Sequence, residues 1–180
     1  MQTVSQDNFS SNSALDGTAM AYEEYREHFK PETSAPVHWR WGAIADKLNA
    51  GKHGERGSLT LSLSGAAQDC ELLPGMAINV QVVPNGGRTR AHAHSWWHLF
   101  FVRSGSARAH LRDQEPREIE AGDVLLVPAW TDHFFINESG SDLVLLSMSN
   151  LPQQAALANH LAREPDEAKP PPVDTNKTEK

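Results

Sequence analysis

From Ser58 onward, hydrophobic residues come in short runs that alternate with polar residues and are separated by Gly, Pro, Asn or Asp. The runs are LTLSL, AINVQVV, HLFFV, ARAHL, DVLLVP, HFFIN and LVLLSM. Many of their residues are β-branched or aromatic, which is typical of strands. Several short strands at close spacing favour a sandwich or barrel with a single core. The pattern therefore predicts an all-β domain.

Helical spacing occurs on both sides of this strand-rich part. Residues 21–29 predict a short helix, and residues 37–48 place apolar side chains at i, i+3, i+4 and i+7. After Pro152, residues 154–162 again follow a helical period and predict a last helix. That helix is either a lid or dimer contact, or a solvated terminal helix.

These patterns indicate one folded domain with polar ends, as a length of 180 residues suggests. Residues 1–20 carry no periodicity, and residues 163–180 combine charges with three consecutive prolines, so both are predicted to be disordered. The part between them is predicted to comprise an N-terminal helical segment over 21–55, a barrel over 56–150 and a C-terminal helix over 151–162.

Charge and composition exclude several classes of function. The formal net charge of −7 disfavours a nucleic-acid partner, because binding phosphates requires a basic face. The longest apolar runs are far shorter than the roughly 20 residues that span a bilayer, and the N-terminus lacks the regions of a signal peptide. Cys70 is the only cysteine, so no internal disulfide can form. These features together favour a cytoplasmic protein without a membrane partner.

Three of the nine histidines lie within seven residues, in the segment AHAHSWWH. His92 and His94 are two apart on a predicted strand, so their side chains share a face and can converge on one ion. His98 cannot reach that ion along a straight strand, since six residues span roughly 20 Å. It becomes a ligand only if the chain turns between His94 and His98. A third ligand must come from a distant strand, and His133 is the candidate.

The spacing around these histidines resembles the first motif of the cupin family. That motif has a glycine, five residues, HxH, three or four residues, a glutamate, six residues and a glycine. Gly86, His92, His94, His98 and Gly105 match every spacing, with histidine at the position where glutamate is usual.

The second cupin motif has a glycine, five residues, PxG, two residues, a histidine, three residues and an asparagine. Gly122, Pro128, His133 and Asn137 match it, and Trp130 stands in place of the second glycine. The two motifs together imply the cupin fold, a double-stranded β-helix also described as a jelly-roll barrel.

A closer resemblance, from about Arg56 to Pro152, is to the gentisate 1,2-dioxygenase-like ring-cleaving dioxygenases. It implies Fe(II) held by His92, His94 and His133, with a hydroxylated aromatic substrate and O₂ as reactants. Manganese, nickel and zinc are the alternative metals. Such proteins typically carry two cupin domains, whereas this chain has room for one. We therefore expect a homodimer or the partner of a second cupin subunit.

The alternative function is that of a non-catalytic metal-binding cupin, either a partner subunit or a small-molecule sensor. A metal-dependent isomerase, or another small-molecule cupin enzyme, is a third possibility, since one fold hosts many chemistries. His98 bears on the choice. It is a fourth ligand that takes a position the substrate needs, an acid/base beside the metal, or a residue that only packs against tryptophan.

Two polar pairs are candidates for binding the substrate. Arg88 and Arg90 share parity with the histidine pair, so Arg90 is a candidate catalytic clamp on a carboxylate, with Arg88 beside it in the pocket. A solvated strand end explains both arginines equally well. Asn79 and Gln81 alternate with valines, and they either line the barrel interior or face solvent.

Aromatic residues crowd both motif segments. We assign Trp96, Trp130 and Phe135 to the substrate pocket, because flat apolar walls suit a planar ligand. The competing interpretation is that they are ordinary core residues.

Overall fold

The computed structural model describes residues 19–27, 35–51 and 56–164. The chain forms two compact units, residues 1–36 and 37–180. The first unit contains helix α1 at Tyr22–Glu27, within the helix predicted over 21–29. The predicted tails fall almost entirely outside the described residues.

The second unit begins with helix α2 at Trp41–Asn49, which starts four residues later than the helical pattern and ends one residue after it. In the described residues 56–164, ten short strands follow: β1 Ser58–Thr60, β2 Ala77–Val83, β3 Ala93–His94, β4 His98–Ser104, β5 Ser106–Leu111, β6 Arg117–Glu120, β7 Val124–Val127, β8 His133–Ile136, β9 Leu143–Ser149 and β10 Ala162–Arg163. A 3₁₀ helix at Ala67–Cys70 lies between β1 and β2, and helix α3 at Leu151–Ala156 follows β9. No helix within the described ranges is long and apolar enough to cross a membrane.

The strands form three antiparallel sheets. The largest has the order β1-β2-β9-β4-β7, the second has the order β6-β5-β8, and β10 pairs with β3. Strand β2 pairs with β9 along its full length, although the two are about 60 residues apart in sequence. Neighbouring strands are therefore mostly distant along the chain, as in a rolled-up pair of sheets.

One hydrophobic core lies between the sheets. Strand β9 alternates strictly between buried and half-buried positions, with Leu143 and Leu145 fully buried. Phe100 and Val102 of β4 and Phe135 of β8 belong to the same core cluster. Alternation along strands is what places one side of each sheet in such a core. The predicted mostly-β architecture is confirmed.

The C-terminal segment differs from its predicted form. The helix predicted over 151–162 ends at Ala156, and the chain then runs as a strand in β10. The helix ends in a Schellman motif: the amide of Ala158 donates to Ala155 and that of Asn159 to Gln154. Helical periodicity could not reveal this end, because β10 exists only through its pairing with β3, nearly 70 residues away.

Ala158 occupies the left-handed position of that motif, with φ of 51°. Glycine is favoured there because a Cβ atom costs about 1 kcal/mol. We expect Ala158→Gly to raise the free energy of unfolding by roughly 0.5–1 kcal/mol in urea denaturation. The control Ala155→Gly, inside the same helix, should lower it by a similar amount. A loss of stability in Ala158→Gly would contradict the strain argument.

Candidate metal centre

Three histidines from two strand segments meet inside the second unit. Backbone hydrogen bonds in both directions pair His92 with His133, at 3.2 and 2.9 Å, so the two side chains lie directly opposite each other. His94 is two residues further along on the same face. The ring centroids of the three are 4.3–5.4 Å apart. Within the described part of the chain, one ligand atom from each lies within 4.8 Å of the others.

Backbone carbonyls determine which nitrogen of each ring is free. Nδ1 of His92 lies 2.8 Å from the carbonyl of Arg90, and Nδ1 of His133 lies 2.8 Å from that of Thr131. His94 makes the equivalent contact with the carbonyl of Trp96 at 2.7 Å. A carbonyl oxygen only accepts, so each Nδ1 carries the proton. Each Nε2 therefore keeps a lone pair, as a metal ligand requires.

Burial keeps the rings of His94 and His133 neutral. His94 and His133 are each 2% exposed. Desolvation, with repulsion from His133 as the next cause, lowers the pKa of His94 to about 4. Desolvation also lowers the pKa of His133 to about 4. Neutral imidazole is the form that binds metals near pH 7.

The Nε2 atom of His94 is buried and has no hydrogen-bond partner among the residues that the structure describes. Buried polar atoms are rarely left unpaired, because their desolvation is then uncompensated. A metal ion bound at this nitrogen would satisfy it. With three converging imidazole nitrogens as donors, the residues fit a divalent transition metal.

His98 lies next to this group but is not one of its three members. The chain bends after His94, as the turn hypothesis required, and β4 begins at His98. Nε2 of His98 accepts a hydrogen bond from the indole of Trp96 at 3.1 Å, and Nδ1 lies 2.6 Å from Oγ of Ser147. Both ring nitrogens thus have protein partners. In this arrangement His98 stands outside the three-histidine group, and its ligand and acid/base roles stay predictions.

Desolvation, together with repulsion from His94 and His133, lowers the pKa of His98 to about 3. The ring is therefore neutral at physiological pH, which agrees with one nitrogen donating and the other accepting.

The two arginines do not lie over the histidines. The side chain of Arg90 is 83% exposed and contacts Glu164 at 3.7 Å, and Arg88 is also exposed. This arrangement corresponds to the solvated strand end and not to the predicted carboxylate clamp. Parity along a strand failed here because residues 88–92 pair with β8 only through isolated bridges at Arg88 and His92, between which the register shifts by one residue.

Asn79 and Gln81 face the barrel interior, one of the two alternatives left open. They pair with Ser147 and Leu145 of β9, and directly opposed residues share a face. Asn79 lines a cavity of about 380 Å³ together with Thr60, Ala67, Gln68, Cys70, Glu71, Ala77, Leu151 and Pro152. Gln81 instead donates to the carbonyl of Arg56 at 3.3 Å.

The three aromatic candidates have different surroundings. Phe135 is 2% exposed and packs edge-to-face on Phe100, so it belongs to the core and not to a pocket wall. Trp96 stacks on His94, with ring centroids 4.0 Å apart and planes 3° from parallel. Trp130 is 41% exposed, and its amide donates to the carbonyl of His94 at 2.7 Å.

The backbone at Trp130 explains why a glycine is usual at this place in the motif. Its φ is 60°, in the left-handed region that bulky residues rarely adopt. Hydrogen bonds from its amide to His94 and to its carbonyl from Arg112 hold it there. Trp130 thus links the loop before His133 to the strand that carries His94.

Sequence reasoning missed a C-terminal strap, which we define as residues 159–164. It pairs with β3 through Ala162 and His94, and Ser95 exchanges hydrogen bonds with it. Arg163 binds both carboxylate oxygens of Asp132, at 2.9 and 3.0 Å, next to His133. Charged residues after a predicted helix resemble a solvated tail, so the sequence offered no signal for these contacts.

Residues 79–149 match the family model for the cupin domain, so this part of the chain is a cupin domain. The chain is also distantly similar to dioxygenases. It is 26% identical over 130 residues to gentisate 1,2-dioxygenase 1 of Aquipseudomonas alcaligenes, a match that covers 68% of this chain and 38% of that protein.

Two solved structures resemble the whole barrel. The salicylate 1,2-dioxygenase of Pseudaminobacter salicylatoxidans superposes with a TM-score of 0.69 at 18% identity, over 87% of this chain and 52% of that one. A variant of that enzyme in complex with gentisate superposes with a TM-score of 0.67 at 20% identity, over 91% and 54%. They confirm the predicted double-stranded β-helix. The chain spans about half the length of these structures and less of the curated relative.

Proposed function

We propose that this chain is an Fe(II)-dependent dioxygenase that cleaves the ring of a hydroxylated aromatic acid. The observation that carries the proposal is the convergence of three imidazoles, each with its Nδ1 hydrogen-bonded to a backbone carbonyl. Three imidazole ligands do not neutralise the charge of the ion, so it attracts an anionic substrate. They also leave coordination positions open for a substrate that binds through two atoms. The distant similarity to gentisate and salicylate dioxygenases supports this substrate class.

In this proposal His92, His94 and His133 hold the iron through Nε2. Bound Fe(II) would supply the Lewis acidity and the redox chemistry with O₂ that side chains lack. The backbone carbonyls behind the three rings keep their planes and tautomers constant, which raises the basicity of each ligand. Manganese, nickel and zinc are alternative metals that the same three imidazole nitrogens could bind.

The cavity beside Asn79 is proposed to accept part of the substrate. It lies on the same sheet face as Ser147, the partner of His98, and its volume falls in the usual range for small-molecule sites, about 300–1,000 Å³. Thr60, Gln68 and Asn79 offer neutral hydrogen-bonding groups there. They would orient the substrate by hydrogen bonds, next to the carboxylate of Glu71 in the same cavity.

Oxygen uptake tests the proposal. The protein is purified anaerobically, loaded with Fe(II), and assayed with gentisate, salicylate, 1-hydroxy-2-naphthoate and hydroquinone. We expect uptake with at least one of these substrates and none in His94→Ala, where a ligand is missing. Loading must be verified, because nickel and zinc outcompete iron at imidazole sites.

A second candidate is a metal-binding cupin subunit without catalysis of its own. The observation that favours it is that the similarity to the solved dioxygenase, at 18% identity, shows the fold and not the activity, and one fold hosts many chemistries. Full iron occupancy without uptake on any of the four substrates would favour this function over the first.

A further inference from the structure

We propose that His98 is a positioning residue: it holds the indole of Trp96 flat against the ring of His94 and so sets the orientation of that ligand. The inference rests on the proposed function, since it assumes that His94 binds the metal. It gives a role to the residue that stands where the cupin motif usually has glutamate.

The hydrogen bonds of His98 have one consistent arrangement. An indole N–H can only donate, so Nε2 of His98 accepts from Nε1 of Trp96 at 3.1 Å. The proton of the neutral ring must then lie on Nδ1, which donates to Oγ of Ser147 at 2.6 Å. Ser147 is 2% exposed on β9, a central strand of the large sheet. The ring of His98 is therefore anchored to a buried residue on the middle strand of the large sheet.

Trp96 in turn restrains His94 in two ways. Its indole stacks on the imidazole at 4.0 Å with planes 3° apart, and its carbonyl accepts the Nδ1 hydrogen of His94 at 2.7 Å. The first contact restrains the plane of the ring and the second its tautomer. Together they aim the unpartnered Nε2 of His94.

Trp96 needs an anchor because of its place in the chain. It lies in the bend between β3 and β4, outside both strands, and lacks the ladder hydrogen bonds that hold strand residues. Asn150 accepts the amide hydrogen of Trp97 at 3.0 Å and so holds the backbone of the bend. The indole has a single side-chain hydrogen bond, the one to His98. Asn150 thus holds the backbone of the bend, and His98 holds the side chain of Trp96.

The role requires an acceptor toward Trp96 and a donor toward Ser147 on one side chain. Glutamine has both, whereas leucine has neither. We expect His98→Leu to weaken Co(II) binding by about 10–100-fold, the usual effect of losing an outer contact to a ligand. We expect His98→Gln to stay within about threefold of wild type. The control His110→Gln changes a histidine that stacks on Phe134 and contacts none of the ligands.

Three measurements on the full chain separate positioning from general damage. Competition with a chromophoric chelator gives the Co(II) dissociation constant, and the visible absorption of bound Co(II) reports the ligand geometry. Tryptophan emission of the metal-free protein, with Trp96→Phe subtracted as a baseline, reports the surroundings of the indole. His98→Leu should change all three, and His98→Gln should restore them.

The decisive comparison is a double-mutant cycle. If His98 acts through the indole, His98→Leu has no further effect on Co(II) binding in the Trp96→Phe background. An equal effect in both backgrounds would overturn the inference, since His98 would then act on the metal site directly. Unchanged binding in His98→Leu would overturn it as well.

Two outcomes remain to be separated. A wild-type protein that binds no Co(II) would refute the proposed metal site itself. If the wild type binds Co(II) tightly and His98→Leu binds it equally well, only the positioning role is refuted. If His98→Leu does not fold, His98→Met takes its place, because its flexible side chain fills a similar volume without hydrogen bonding.

Discussion

Substituting His94 by alanine is expected to weaken divalent metal binding by more than about 100-fold. Losing a residue that only contacts a ligand weakens binding by about 10–100-fold, and losing the ligand itself should cost more. The reason is that His94 contributes one of the three converging ligand atoms, a buried Nε2 with no hydrogen-bond partner among the described residues. Isothermal titration of the metal-free protein with Co(II) or Zn(II) measures the effect. His110→Ala is the matched control, because it also removes an imidazole from a strand of the barrel.

Thermal unfolding provides an independent check on this expectation. A ligand that binds only the folded state stabilises it by about 2.7 kcal/mol at 100 times its dissociation constant. Metal should therefore raise the melting temperature of the wild type and of His110→Ala, but not that of His94→Ala. A metal-dependent shift of normal size in His94→Ala would show that the ion binds elsewhere.

Replacing Asn137 by alanine is expected to lower the free energy of unfolding by about 3–5 kcal/mol. The side chain is fully buried, and its amide nitrogen donates to the carbonyls of Val83 and Ser141, both at 2.8 Å. Its Oδ1 accepts from the amide and the hydroxyl of Ser139. Alanine leaves the buried carbonyl of Val83 unsatisfied, at about 1–3 kcal/mol, removes the part-buried contacts to Ser139 and Ser141, and opens a cavity.

Asn85 provides the matched control for Asn137. It is exposed, and its Oδ1 accepts the amide hydrogen of Gly140 at 2.9 Å. Asn85→Ala should cost less than about 1 kcal/mol, because water replaces the lost partner. Guanidinium denaturation of the metal-free proteins compares the two. Equal losses would mean that burial of the Asn137 network contributes little to stability.

The same pair of variants tells what the last residue of the second motif does. In our interpretation Asn137 ties the end of β8 to Val83 at the end of β2 and has no contact with the histidines. Asn137→Ala should therefore keep its metal stoichiometry wherever it remains folded. The asparagine of the motif is then a structural residue of the barrel.

Much of the candidate site followed from spacing along the chain. His92 and His94 share a face because strand side chains alternate, and the structure bears this out in their converging rings. His133 was predicted from its place in the second motif, and the backbone pairing of His92 with His133 brings it there. Such features depend on local geometry, which a sequence records directly.

The surroundings of these residues did not follow from spacing. The partner of His98 on β9 lies 49 residues away, and Arg163 reaches Asp132 across 31 residues. Arg90 points to Glu164 instead of to the metal site. Each of these contacts depends on how distant segments pack, and no local pattern encodes that.

Alternation, turn residues and motif spacing were therefore enough to define an all-β barrel and the three histidines at its centre, since both depend on periods of a few residues. Only the folded chain decided that His98 hydrogen-bonds to Trp96 and Ser147, that the last helix gives way to β10, and that Phe135 belongs to the core. The physical reason is that a hydrogen-bonding side chain takes whichever partner the tertiary fold brings within about 3 Å.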